Sequence, residues 1–255
     1  MIVTAIKTEK VTPRSTTLVA LLDRSLKKFP DGSVLVITSK VIALCEGRYL
    51  PHDTVLKDEA VMAEADYYLP KEKSRYGIPL TITDNAFIAR AGIDASNTDG
   101  HYSLLPLDSY ATARKIRRYL VKRFSVTNVG VIVVDSHSTP LRRGTLGVAI
   151  GWSGFQALKN YENLPDIFGH HYTTHQNQVD GLAVTASLAM GEGDEQTPLC
   201  LITDIPFVTF QASSPTPKEL AIFKPPLKDD LFAPLLNFKD LRKGKSHSKL
   251  APRGK

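Results

Sequence analysis

RAGIDASNTDG, Arg90–Gly100, places a carboxylate where an apolar run stops. Thr81–Arg90 reads as one or two strands, Gly92 and Ile93 follow, and Asp94 opens a string of small polar residues, Ser96, Asn97, Asp99 and Gly100. A strand ending in a turn accounts for the glycines and polar residues. It leaves open why an acid stands at the end of a buried run. The same question recurs at Asp135, which ends VGVIVV (Val129–Val134) and begins DSH, and at Glu192 in MGEGDE, which follows a small-residue helix expected over Val179–Met190.

Working outward, Ile2–Thr8 alternates like a strand. Ser15 and Thr16 offer caps to a helix with Leu18, Leu21, Leu22, Leu26 and Phe29 on one face. Ser33–Ser39 (SVLVITS) and Val129–Val134 are apolar throughout, as strands buried on both faces are. Helices are expected over residues 56–68 and over Ala111–Phe124, whose basic face reads as solvated. Further strands are expected at Thr145–Ile150 and Leu199–Thr203. Strands and helices do not alternate regularly enough for a doubly wound sheet, so the expected class is α+β. A main domain over residues 1–212, an extended surface segment over 213–240 and a basic, disordered tail over 241–255 complete the division.

The chain has 255 residues, 42% of them hydrophobic and 23% charged, an ordinary globular composition long enough for a substantial core. No apolar run is long enough to span a bilayer, and the first ten residues, MIVTAIKTEK, lack the apolar stretch expected of a secretory signal. Two cysteines, Cys45 and Cys200, are too few for a disulfide scaffold and suit a reducing cytoplasm. The net charge of +6 lies in the last fifteen residues, which hold six Lys and Arg; taking those from 32 leaves 26, against 26 Asp and Glu. A nucleic-acid-binding core is therefore not expected.

Walker-type, dinucleotide, zinc-protease and serine-elbow motifs are absent. What remains is Asp94, Asp135 and Glu192, with Asp194 and Glu195 beside it. Hard cations such as Mg2+ or Mn2+ take such oxygens together with phosphates and water, although each acid alone also reads as a turn or cap residue. Histidines form a rival set: His137 in D-x-H, and His170, His171 and His175 in GHHYTTH, which with Asp94 and Asp135 would suit a metal-dependent phosphoesterase. Arg142 and Arg143 offer guanidinium forks for phosphate or carboxylate. Met190 and the alanines before it read as packing.

Together, ITSKVIALCEGR (Ile37–Arg48), ARAGIDASN (Ala89–Asn97), YSLLPLD (Tyr102–Asp108), VGVIVVDSH (Val129–His137), RRGTLGVAIGWSG (Arg142–Gly154), DIFG (Asp166–Gly169) and MGEGDEQTP (Met190–Pro198) resemble the coenzyme F-420:L-glutamate ligases, or F-420-0 gamma-glutamyl ligases. The resemblance implies a mixed α/β fold forming an intertwined homodimer, and a GTP-dependent ligase that adds L-glutamate, gamma-linked, to a small-molecule carboxylate acceptor with two divalent cations, Mg2+ or Mn2+. It implies that Asp94 and Asp135 hold one metal, Ser136 and Glu192 the other, and that Asn97 contacts GTP. Ser39 matches the early strand-end serine, and the loop Met190, Gly191, Glu192, Gly193, Asp194, Glu195, Gln196, Thr197 lies along the nucleotide.

Several positions depart from the family pattern. Leu44 stands at the family's nucleotide-contacting lysine, Ser138, Thr139 and Leu141 replace a Gly, an Arg and a Trp, and Gly181 replaces an acid. The N-terminal loop Val11–Thr17 lacks the family's P-x-I…G-D-D form. These changes suggest the same chemistry on another acceptor such as a folate, or with another nucleotide such as ATP, or a binding homologue without turnover; the metal-dependent phosphoesterase of the histidine set stands as a separate alternative.

Overall fold

Two strands read as buried on both faces, Ser33–Thr38 and Val129–His137, lie side by side and parallel at the heart of the molecule. The computed structural model describes residues 1–236 and 238–246. The chain begins with β1 (Ile2–Ile6), α1 (Leu18–Ser25), β2 (Ser33–Thr38), α2 (Ser39–Glu46), β3 (Tyr49–Pro51) and α3 (Lys57–Glu64). It continues through β4 (Tyr67–Leu69), β5 (Leu80–Thr83), β6 (Ala86–Ala89), β7 (His101–Ser103), α4 (Ser109–Phe124), β8 (Val129–His137) and β9 (Leu146–Ser153). The last elements are β10 (Leu158–Asn160), β11 (His175–Asn177), α5 (Gln178–Met190), β12 (Leu199–Thr203), α6 (Pro217–Phe223) and β13 (Arg242–Lys243).

The main sheet has the order β1-β12-β2-β8-β9, and only β2 and β8 run parallel. Alternation sorts its side chains. Val34, Val36, Ile132 and Val134 face α5 and Trp152, while Leu35, Ile37, Val131 and Val133 face α1, α2 and α4. Burial on both faces explains why these strands carry no polar alternation. The small residues of α5, Ala183 and Ala186, are fully buried and let that helix sit close to the sheet. The class is mixed α and β, as expected.

A smaller layer packs beside this sandwich. It comprises the sheet β13-β4-β5-β6, the ladder β3-β7 and α3, around Leu50, Val61, Ile93 and Leu104. Arg48 and Glu64 form an ion pair inside it. This layer carries Asp94 to the main sheet.

Four expectations need correction. The first helix is capped by Thr17, whose hydroxyl accepts from the Ala20 amide, and not by Ser15 or Thr16, and it stops at Ser25, because the Arg123 guanidinium takes the carbonyls of Leu22, Asp23 and Leu26 and closes the end of α1. The helix expected over 56–68 ends at Glu64, and Tyr67–Leu69 pair with β5, as aromatic residues on a pleated surface favour. The segment after 213 is not simply extended. Thr216 and Glu219 form a capping box with Pro217 in the first turn, and Leu220 and Phe223 of α6 pack on the core. The tail expected from 241 begins as structure, since Arg242 and Lys243 pair with β4; residues 247–255 lie outside the described residues.

Gly154 closes β9 against the start of β8. Its φ is +98°, and a Cβ there would stand 1.9 Å from the Val129 carbonyl oxygen and 2.6 Å from Arg117 Nε. Gly154→Ala should therefore lower stability by about 2 kcal/mol or more. Urea unfolding measures this, and an unchanged midpoint would contradict the packing described.

Candidate active site

The carboxyl end of β8 presents Asp135, Ser136 and His137 at the edge of the main sheet. Because β2 runs parallel, with Thr38 opposite Val134, Ser39 arrives beside Asp135. Ser39 Oγ donates to Asp135 Oδ1 at 2.6 Å. Ligands of open α/β sheets gather at such carboxyl ends. Burial pushes the Asp135 carboxyl up to about 6, against the Ser39 hydrogen bond and Lys40, with the charge of Asp94 adding to the rise.

The GIDASN loop answers the opening question. A short 3-10 turn over Arg90–Gly92 brings the chain round. Arg90 and Ala91 take positive φ there, and Gly92 has no room for a side chain because a Cβ would meet Leu105 at 2.7 Å. Asp94 then bridges Ser103 of β7 through both backbone groups. Its carboxylate is the hub of the loop. Oδ1 accepts from the Ala95 and Ser96 amides at 2.6 and 3.0 Å, and Oδ2 accepts from Ser96 Oγ and Lys40 Nζ at 2.7 Å each. Burial alone would raise its pKa. The Lys40 ammonium and the Ser96 donors outweigh burial and hold it well below the usual carboxylate range.

Asn97, at φ 55°, reaches the third element. Its Nδ2 donates to the Gly193 carbonyl at 2.9 Å. The loop after α5 is folded on itself: the Gly193 amide donates to Glu195 Oε2 at 2.8 Å, and a Cβ on Gly191 would lie 2.4 Å from the Glu195 carboxyl carbon. Thr197 donates to the Met190 carbonyl, and the Thr8 amide donates to the Gln196 carbonyl at 2.9 Å. Glu195 thus braces the loop. Glu192 turns instead to Ser136, whose hydroxyl lies 2.9 Å from both its carboxylate oxygens.

Asp94, Ser96, Asn97, Asp135, Ser136 and the loop Met190–Thr197 line one cleft of about 740 Å³, within the size range of ligand sites, whereas Ser39 is buried behind Asp135 and does not line it. Ser136 and Glu192 are exposed in it, and Asp94 and Asp135 are half-buried. Asp194 lines the cleft; Met190 lines it too, yet is buried in the core at 7% exposure, as its packing reading requires. Among the described residues no three His, Cys, Asp or Glu side chains come together as a metal-binding group. Ser136 is bonded to Glu192, while Asp94 and Asp135 line the same cleft close enough for the charge of one to be felt by the other.

The histidine constellation does not assemble. His137 lines the cleft, but His170, His171 and His175 do not; they belong to β11 and the connection leading into it. There His171 Nδ1 meets the Asn163 carbonyl, and His175 lies 3.9 Å from Glu162. Arg142 and Arg143 are exposed on the β8–β9 connection, where Ser138 and Thr145 line the cleft and the two arginines do not.

The sequence reading missed three contributors. Lys40 binds Asp94, Ser96 closes the loop around it, and residues 8–12 form one cleft wall. One signal was available for the first. Lys40 and Leu44 are four residues apart, on one face of a helix, and both line the cleft.

Comparison with known proteins identifies the family. The family described as F420-0:Gamma-glutamyl ligase matches residues 5–204. The coenzyme F420:L-glutamate ligase of Methanocaldococcus jannaschii is 31% identical over 206 residues, covering 73% of this chain and 82% of the relative. That of Archaeoglobus fulgidus is 32% identical over 199 residues, with 72% and 80% covered. That of Natronomonas pharaonis is 31% identical over 212 residues, with 74% and 81% covered. With the family match spanning residues 5–204, which hold β2, β8, β9 and β12 whole and the end of β1, the chain belongs to the F420-0:gamma-glutamyl ligase family, a family of ligase enzymes.

Proposed function

We propose that the chain uses GTP to add L-glutamate, gamma-linked, to a carboxylate acceptor, coenzyme F-420-0 in the first instance. The observation that carries the reading is the pair of oxygen sets, Asp94 with Asp135 and Ser136 with Glu192, facing one cleft beside the loop Met190–Thr197. A carboxylate is a poor electrophile. Transfer of the GTP γ-phosphoryl group to the acceptor carboxylate gives an acyl phosphate and GDP. The glutamate amine then attacks the acyl carbon, the C–N bond forms, and inorganic phosphate leaves with the C–O bond.

The donor set fits two Mg2+ or Mn2+ ions. It is all hard oxygen, and Asp135, raised by burial and by Asp94, is a carboxylate whose ionised form a cation would favour. Asp94 and Asp135 would hold one ion, Ser136 and Glu192 the other. When bound, such ions neutralise the charge that builds on transferring phosphoryl oxygens. The chain's own residues set the stage: Ser39 orients Asp135, the Asx turn of Asp94 fixes its carboxylate, and the Asn97 amide ties that turn to the loop beside the nucleotide. Glu195 braces that loop by accepting from the Gly193 amide. Leu44 leaves α2 with an apolar contact where a lysine is implied, so the phosphates are gripped from other positions.

We also infer a cytoplasmic homodimer. No helix among the described residues is long and apolar enough to cross a membrane, both cysteines are free, and Ile167 and Phe168 stand exposed on the β10–β11 connection. The decisive experiment incubates the purified chain with GTP, Mn2+, L-glutamate and coenzyme F-420-0. GDP and phosphate should appear only when acceptor and glutamate are both present. A folate giving product in its place would move the acceptor, and hydrolysis of a generic phosphoester without glutamate would replace ligation with phosphoesterase chemistry. No GDP with either acceptor would end the ligase reading.

A further inference from the structure

We propose that Lys40 is a counter-ion switch. Its ammonium and a divalent cation compete for Asp94, so that arrival of the cation releases Lys40 to the nucleotide phosphates. The inference rests on the cation–nucleotide reading of the cleft.

An ionised carboxylate offers about four lone-pair directions. On Asp94 four donors fill them: the Ala95 and Ser96 amides on Oδ1, and Ser96 Oγ and Lys40 Nζ on Oδ2. The amides belong to the turn itself and leave only if the loop opens. The hydroxyl and the ammonium are the donors that can rotate away, and of these Lys40 alone carries charge. Two cations on one carboxylate oxygen repel each other strongly in a half-buried cleft. One must go.

Lys40 has somewhere to go. Its side chain lines the cleft and is 24% exposed, with further hydrogen bonds to the Ser96 carbonyl and hydroxyl at 3.0 Å. Val41 and Leu44 line the same wall from α2, and neither can meet an anion. Lys40 is the one residue of this helix that can answer a phosphate's charge, and a phosphate arriving with its cation replaces the carboxylate that Lys40 gives up. The consequence is thermodynamic. Cation and nucleotide each bind weakly alone, each strengthens the other, and linkage makes the factor the same in both directions.

Lys40→Met keeps the length of the stem and removes the charge. Mn2+ binding to the full chain, followed by electron paramagnetic resonance of the free ion, is compared without and with guanylyl imidodiphosphate, so no turnover is involved. Lys40→Met should bind Mn2+ alone about tenfold or more tightly than the wild type and gain little from the nucleotide analogue. Lys40→Arg, which keeps the charge, should behave like the wild type. A damaged fold loses affinity, so a gain cannot arise from misfolding. Equal or weaker Mn2+ binding by Lys40→Met overturns the switch and leaves the cation site standing. No Mn2+ binding by any of the three proteins, even with the analogue, removes the cation site itself.

Discussion

Replacing Asp94 by asparagine should lower ligation kcat/KM by about a hundred- to a thousandfold, the scale expected when a preorganised charge is lost from a phosphoryl-transfer site. The substitution separates the two tasks of this residue. The amide oxygen of asparagine can still accept from Ala95 and Ser96, the contacts that hold the turn. The negative charge facing Lys40 and the cleft is gone. Since the ion pair is half-exposed, its loss should cost no more than about 1 kcal/mol of stability. Asp94→Ala removes the turn acceptor as well and should cost more stability with no further loss of rate. Steady-state kinetics beside urea unfolding distinguishes the two. If Asp94→Asn keeps activity within tenfold of wild type, the carboxylate serves only its own turn and the cation site falls.

The difference between what the sequence revealed and what it hid follows from the range of the forces involved. SVLVIT and VGVIVV were legible because burial on both faces leaves a mark in consecutive residues. The three acids were legible because each ends an apolar run. Helix α2 escaped notice. It is eight residues long, follows β2 without a break, and Thr38 gives it no side-chain cap, so the usual start signal is missing. Lys40 was invisible for a related reason: a lysine at the start of a short helix reads as a solvated charge until Asp94, 54 residues away, is placed against it. The histidines failed in the opposite direction. Their spacing in GHHYTTH looks like a ligand set, but spacing says nothing of which way a connection points, and three of the four lie off the cleft. The departures at Ser138, Thr139 and Leu141 fall on the exposed connection before β9, where a change leaves the sheet intact.

The second large effect is expected away from the cleft, which neither Arg48 nor Glu64 lines. Arg48 follows the left-handed Gly47 that ends α2, donates its Nε to the Leu105 carbonyl at 3.1 Å, and pairs with Glu64 at the end of α3. Their side chains are 10% and 2% exposed. Glu64→Leu would leave the guanidinium buried without its carboxylate, a loss of about 3–5 kcal/mol. Arg48→Met with Glu64→Leu removes both charges, leaves one carbonyl short of a donor, and should recover most of that loss. The pair also bears on function, because it locks α3 to the chain leaving α2, and α2 carries Ser39 and Lys40 while the smaller layer carries Asp94. Glu64→Leu should therefore weaken ligation as well as stability, and the double variant should restore both together. Urea unfolding and ligation rates on the same preparations make the test. A single variant costing under about 1 kcal/mol would mean that water reaches the pair. A double variant that regains stability without activity would mean that this ion pair, and not packing alone, sets the approach of Asp94 to Lys40.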